Sequence, residues 1–227
     1  MQLQERTATS LRQAIMEGVF QPGQRLSEVD LAQRFQTSRS PIREALVQLE
    51  LEGFVARADT GRIYVRPLSL TEAEQLFIVR ANLEGLACRL AVDNVNRRDV
   101  LSLEANIDGM EESSRRRDFH AALALGAEFH QTIIAACANA PLEDCLKGFR
   151  ARTTRYRFIV AALEEFNEKR IAEHRAILSA IRAQDPELAE LAMKSHITAS
   201  SRETLQALRS FLDKAEPAAV QEDRDRA

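Results

Sequence analysis

Apolar residues recur at helical spacing along most of this chain, with one short stretch near residue 60 where the period changes. Leu3 to Gly18 reads as a first helix with Leu11, Ala14 and Ile15 on its inner side, and Gly18 followed by Pro22-Gly23 ends it and turns the chain. Ser27 can cap a short second helix, with Glu28 and Asp30 at its positive end and Leu31, Ala32 and Phe35 on its apolar side. Ser38 can cap a third. Pro41 falls in that helix's first turn, where a missing N–H costs nothing, and Ile42, Ala45, Leu46 and Leu49 repeat at three and four. So short a gap before Ser38 forces the second and third helices to cross steeply, as in a helix-turn-helix. Phe54 to Arg57 and Arg62 to Arg66 are β-rich runs around Asp59-Thr60-Gly61, which makes a hairpin carrying Arg57, Arg62 and Arg66. A hairpin after a helix-turn-helix is a winged helix.

Pro67 to Glu72 forms a linker, with Ser69 and Glu72 spaced as a capping box. Beyond it the pattern predicts helices over about 70–93, 97–116, 118–138, 142–165, 167–184 and 186–213. Short turns between one-faced helices imply an antiparallel bundle. The expected fold is therefore mainly α: a DNA-binding winged helix-turn-helix over 1–68, an all-α bundle over 69–213 and a frayed, nearly all-polar tail over 214–227.

Charge narrows the function. The net charge is −3, and residues 1–68 carry nine arginines, no lysine and eight acids, so nucleic-acid binding has to rest on locally placed arginines. Arg39 and Arg43 lie one turn apart on the exposed side of the third helix. With the hydroxyls of Ser38 and Ser40 they suit phosphates and guanine edges. Taken alone, the segment reads equally well as a capped amphipathic helix with solvated arginines. Cys88, Cys137 and Cys145 lack zinc-type spacing and suit small buried thiols in a reducing compartment. No apolar run reaches the ~18 residues of a membrane span and no signal peptide is evident, so a cytoplasmic protein is expected.

Leu11 to Ile15, Gly18, Pro22-Gly23, Leu26, Leu31-Ala32, Ser38 to Leu46, Leu49-Glu50, Glu52-Gly53 and Gly61 together resemble the GntR winged-helix pattern over most of residues 8–66. The resemblance implies DNA contacts at Ser38, Arg39, Ser40, Arg43 and the wing-tip Gly61, with Arg62 beside it. Gln36-Thr37 departs from the glycine and aliphatic residue usual in that turn. The bundle resembles the FadR/FCD subgroup through Arg80 to Glu84, Glu128 to Asn139, Glu173 to Ile181, and His196.

His130, His174 and His196 occupy three different helices among apolar neighbours. Such histidines are commonly hydrogen-bonded core residues, but three converging imidazoles make a facial metal site with open positions. The subgroup resemblance favours the metal, zinc or nickel by ligand type, and adds an aspartate one turn before the first histidine. Here that position is Gly126. The resemblance also implies a small carboxylate or sugar-acid effector, for which Arg80 and Arg155 are the candidate partners; Arg80 can instead pair with Glu84 one turn on. A symmetric homodimer reading a palindromic double-stranded operator, most simply a repressor, follows from the same resemblance. Two alternatives stand beside it: a regulator whose bundle is metal-free and purely structural, or a metal-dependent hydrolase. Against an enzyme, the sequence offers no nucleophile–base pair, no glycine-rich phosphate loop and no His-Glu-x-x-His.

Overall fold

The structure is a computed structural model describing residues 3–161 and 168–224, with side chains described except at positions 3–4, 120, 150–151, 154–155, 157–161, 168 and 214–224. Three helices and three short strands form the head. Helix α1 (Leu3–Met16) is followed by strand β1 (Arg25–Leu26), α2 (Glu28–Arg34), α3 (Arg39–Leu51), β2 (Val55–Arg57) and β3 (Ile63–Val65). The expected hairpin is there, pairing Val55 with Val65 and Arg57 with Ile63. Strand β1 adds an edge that periodicity could not announce, because two residues are too few to alternate; it pairs Arg25 with Tyr64, giving the order β1-β3-β2. Leu11, Ile15, Leu31, Ile42, Leu46, Leu49 and Phe54 fill the head's core.

Local chemistry explains how α2 and α3 are set. Ser27 accepts from the Asp30 N–H and caps α2. Its far end is a Schellman turn: Thr37 N–H donates to Ala32 O (3.0 Å) and Gln36 N–H to Gln33 O (3.2 Å). This places Gln36 in the left-handed region, φ 50°, where the usual glycine would sit without strain. Ser38 occupies the N-cap position of α3 in an extended conformation, but contrary to expectation its hydroxyl makes no capping hydrogen bond.

The bundle comprises α4 (Leu70–Ala91), α5 (Arg97–Arg115), α6 (Phe119–Ala136), α7 (Ala140–Ala161), α8 (Glu168–Arg182) and α9 (Pro186–Arg224). Its caps mark the turns: Asn96 with Asp99 completes a capping box, and Asp118 accepts from Ala121 N–H. The backbone of α9 stays helical to Arg224, through the stretch expected to fray from 214. The break expected near Asn167 falls outside the described residues. A second core, with Phe77, Leu103, Met110, Phe129, Ile133, Tyr156 and Ile177 among its members, binds these helices together.

One acidic side chain, Glu72, ties head to bundle. Ser69 caps α4 through the Glu72 N–H, as expected, yet the Glu72 carboxylate does not close the box. It accepts instead from Arg66 at the end of the wing (3.1 Å) and from Arg152 and Tyr156 of α7, the tyrosine at 2.8 Å. Arg152 also lies over Gly53, which ends α3 at φ +77°; a Cβ there would come within 3.0 Å of Arg152 Cγ. Glycine is thus favoured at 53 by backbone and by space.

Candidate functional site

Two constellations carry chemistry, one on the head and one in the bundle. On α3, Ile42, Ala45, Leu46 and Leu49 anchor the inner face, and Arg39 and Arg43 stand on the other, each with 62% of its side chain exposed. Both approach Glu28, the first residue of α2: Arg43 donates from Nε (3.1 Å) and Nη2 (3.0 Å), Arg39 from Nη2 (3.5 Å). Arg43's hydrogen bonds hold the Glu28 carboxyl below its ordinary range, outweighing the small effect of burial. Ser40 donates to Glu44 one turn on (3.2 Å). Gly61 sits at the hairpin tip with φ +76°, and Arg62 beside it is exposed. The other two wing arginines are paired within the chain. Arg57 pairs with Glu50 (3.2 Å), and Arg66 turns toward the bundle to meet Glu72.

In the bundle, His130 on α6, His174 on α8 and His196 on α9 come together, all three buried, with possible ligand atoms within 4.8 Å of one another. The ring of His174 lies 4.3 Å from that of His196 and 5.5 Å from that of His130. Each ring has its Nδ1 held. His130 Nδ1 donates to Glu84 Oε2 (2.6 Å), His196 Nδ1 to Glu173 Oε2 (2.9 Å), and His174 Nδ1 to the Arg170 carbonyl (2.7 Å). Carboxylates and backbone carbonyls accept, so these partners fix the tautomer with the proton on Nδ1. Burial alone would raise the Glu84 pKa, but Arg80 and His130 outweigh it and hold the carboxyl well below the usual range. Glu173 moves the other way, because burial outweighs Lys169 and Arg170.

The consequence lies on the other ring nitrogens. His130 Nε2 and His196 Nε2 are 3.3 Å apart. With both protons on Nδ1, two lone pairs face each other in a water-poor interior. A cation between them relieves that repulsion, and a neutral imidazole Nε2 is the form that ligates a metal. The donor set therefore fits a divalent ion with a taste for nitrogen.

Arg80 pairs through Nε with Glu84 Oε1 (2.6 Å), and both are buried, so the guanidinium reaches the histidines through Glu84. The pairing weighed for Arg80 is thus present, one residue away from the cluster. The side chain of Arg155 lies outside the described residues. Gly126 precedes His130 by one turn on α6; a Cβ there would meet Met110 Sδ at 3.5 Å and His174 Nε2 at 3.8 Å, so a side chain at 126 would face the cluster. Glu128 is exposed and supplies nothing. Sequence reasoning missed Glu173, whose bond crosses from α8 to α9, and missed Glu28 as the partner of both arginines. Of the thiols expected to be buried, Cys88 and Cys137 are, but Cys145 is exposed. Burial, with Glu84 and Glu190 nearby, pushes the Cys88 thiol up to about 12, which leaves it inert. Among the described residues no helix is long and apolar enough to cross a membrane.

Comparison with known proteins agrees with both halves. The model for bacterial regulatory proteins of the gntR family matches residues 3–65, and that for the FCD domain matches residues 75–199. The chain is 30% identical over 187 residues to the probable D-xylose utilization operon transcriptional repressor of Paenarthrobacter nicotinovorans, covering 82% of this chain and 81% of that one. It is 28% identical to the HTH-type transcriptional repressor RspR of Escherichia coli, covering 82% of each. Among solved structures, E. coli McbR/YncC shares the fold, with a TM-score of 0.79 at 20% identity over 91% of this chain and 98% of that one. The hydrolase alternative has no support in these relatives, which are regulators of transcription. The chain belongs to the GntR family of bacterial transcriptional regulators, with a gntR-type DNA-binding head and an FCD domain, and is not an enzyme.

Proposed function

We propose that this chain is a ligand-responsive repressor that binds a palindromic operator as a cytoplasmic homodimer, and that its bundle takes a small carboxylate or sugar acid beside a divalent metal. The head, residues 1–68, presents Arg39 and Arg43 to guanines or phosphates in the major groove. Ser38 and Ser40 fix register, and Gly61 with Arg62 brings the wing onto the backbone. The domain over 69–213 pairs the protomers and holds the effector. That relatives bearing repressor names cover most of the chain supports the sign of regulation.

One observation carries the metal reading: three buried imidazoles with Nδ1 pinned by acceptors and Nε2 atoms converging. His130, His174 and His196 would hold zinc or nickel, and Glu84, Glu173 and the Arg170 carbonyl would keep the rings aimed. A bound ion supplies positive charge and open positions for an anionic group. With glycine at 126, a position that a fourth protein ligand would fill stays available to effector or water. Arg80 donates to Glu84 through Nε only, so its other N–H groups can meet a carboxylate.

An effector changes DNA affinity only through unequal affinity for two placements of the paired heads. The Glu72 junction, which ties Arg66 of the wing to Arg152 and Tyr156 of α7, is where bundle and head can exchange that preference. The test is a melting-shift screen of carboxylates and sugar acids with zinc- or nickel-supplemented protein, repeated on His174→Ala. The reading expects at least one ligand to stabilise the parent and not the variant, with duplex binding retained by the variant. Equal shifts in both proteins would put the effector elsewhere.

A further inference from the structure

Glu28 is a carboxylate on the face proposed to meet a polyanion, where an acid should weaken binding. Its setting is rigid. Glu28 opens α2, Ser27 caps that helix, and Leu31 and Ala32 bury it in the head's core. Across from it, Arg43 is carried by a helix with four buried anchors. The Glu28 oxygens take Nε and Nη2 of Arg43 at 3.1 and 3.0 Å, so one whole edge of the guanidinium is engaged. Arg39 reaches the same carboxylate only at 3.5 Å and with a single nitrogen.

A guanidinium fork has two usable edges, and guanine offers two in-plane acceptors, O6 and N7, in the major groove. Phosphate accepts from nearly any direction. An arginine free to swing serves phosphate and base alike, whereas one clamped along its Nε–Nη2 edge offers a single edge in a single plane. The clamp also adds negative charge beside the groove, which penalises contacts that gain only from phosphate charge. The carboxyl is held ionised by this same pair.

We propose that Glu28 is a positioning residue that fixes the orientation of Arg43 and thereby sets base specificity, at the expense of sequence-independent affinity. This rests on the proposed DNA-reading role of Arg43. A plain helix-terminal acid would instead aid α2 through the helix dipole and leave base preference untouched.

The test uses full-length protein and a pool of duplexes with a randomised segment, selected and sequenced at one fixed salt concentration. The parent, Arg43→Ala, Glu28→Gln and Glu28→Ala are compared. Glu28→Gln keeps the size of the side chain, and the alanine variant guards against a residual amide contact. Arg43→Ala is expected to lose guanine preference at one base pair of each half-site. Both Glu28 variants should lose roughly tenfold of the discrimination at that same base pair, the scale of one bidentate contact, while other positions stay selected. They should also bind unselected duplex more tightly than the parent. Full guanine preference in both Glu28 variants, or an even loss across every position, would overturn the assignment. A parent that enriches no site would overturn the reading role of Arg43 itself, which is a different result from either.

Discussion

The head and the bundle store their functional information differently. On the head, Ser38, Arg39, Ser40 and Arg43 lie within six residues, and one helix with one buried face delivers them to one surface. In the bundle, the three histidines sit on α6, α8 and α9, and the groups that aim them come from α4 and α8. The first site survives as long as α3 folds. The second exists only when four helices pack in register, so its chemistry depends on the core being right.

The contrast predicts different penalties. Glu84→Ala should have the largest effect: it leaves the Arg80 guanidinium and the His130 Nδ1–H buried without their acceptor, a loss of about 3–5 kcal/mol for a broken buried pair. Denaturant titration should find it in the bundle transition, with any metal-induced stabilisation also lost. Gly53→Ala comes next. A left-handed position and a Cβ against Arg152 should cost about 1–3 kcal/mol in the same titration. Because Arg152 belongs to the bundle, the loss should shrink when measured in an Arg152→Ala background; an unchanged loss would disconnect Gly53 from α7.

Arg43→Ala should behave in the opposite manner, weakening binding to a selected operator roughly ten- to hundredfold while leaving the melting temperature unchanged. Fluorescence anisotropy with a labelled duplex measures it. Gln36→Gly should have the smallest effect and the opposite sign. Relief of left-handed strain of about 1–2 kcal/mol exceeds the added chain entropy of glycine, about 0.5–1 kcal/mol, so a net gain of up to about 1.5 kcal/mol is expected.

What could be read from the chain follows the same division. The winged helix was legible because its caps, turn glycines and apolar repeats are contiguous; Ser27 and Gly53 act where their residue types suggest. Strand β1 was not, since its two residues are defined by pairing with β3 and not by pattern. Among the bundle helices, spacing placed His130, His174 and His196 on buried faces, and their convergence is an outcome of packing that only the resemblance could suggest. Glu84 stood in a quoted motif as a partner of Arg80, and the structure shows it serving His130 as well. Glu173 and Glu28 reach across helix pairs, where no spacing rule applies. Arg66 is likewise paired through space: it follows the wing's last strand, and its partner Glu72 belongs to the bundle.

A divalent cation held by the Nε2 atoms of His130, His174 and His196 would leave a direct trace in the protein's metal content. The most direct measurement is metal content of gently purified protein by elemental mass spectrometry, followed by melting before and after chelation and after re-addition of zinc or nickel. About one ion per chain is expected at this site, with a lower melting temperature on chelation and recovery on re-addition. Protein that carries no metal, and whose melting responds to neither chelator nor added ion, would contradict it and leave the short His130–His196 approach to a shared proton.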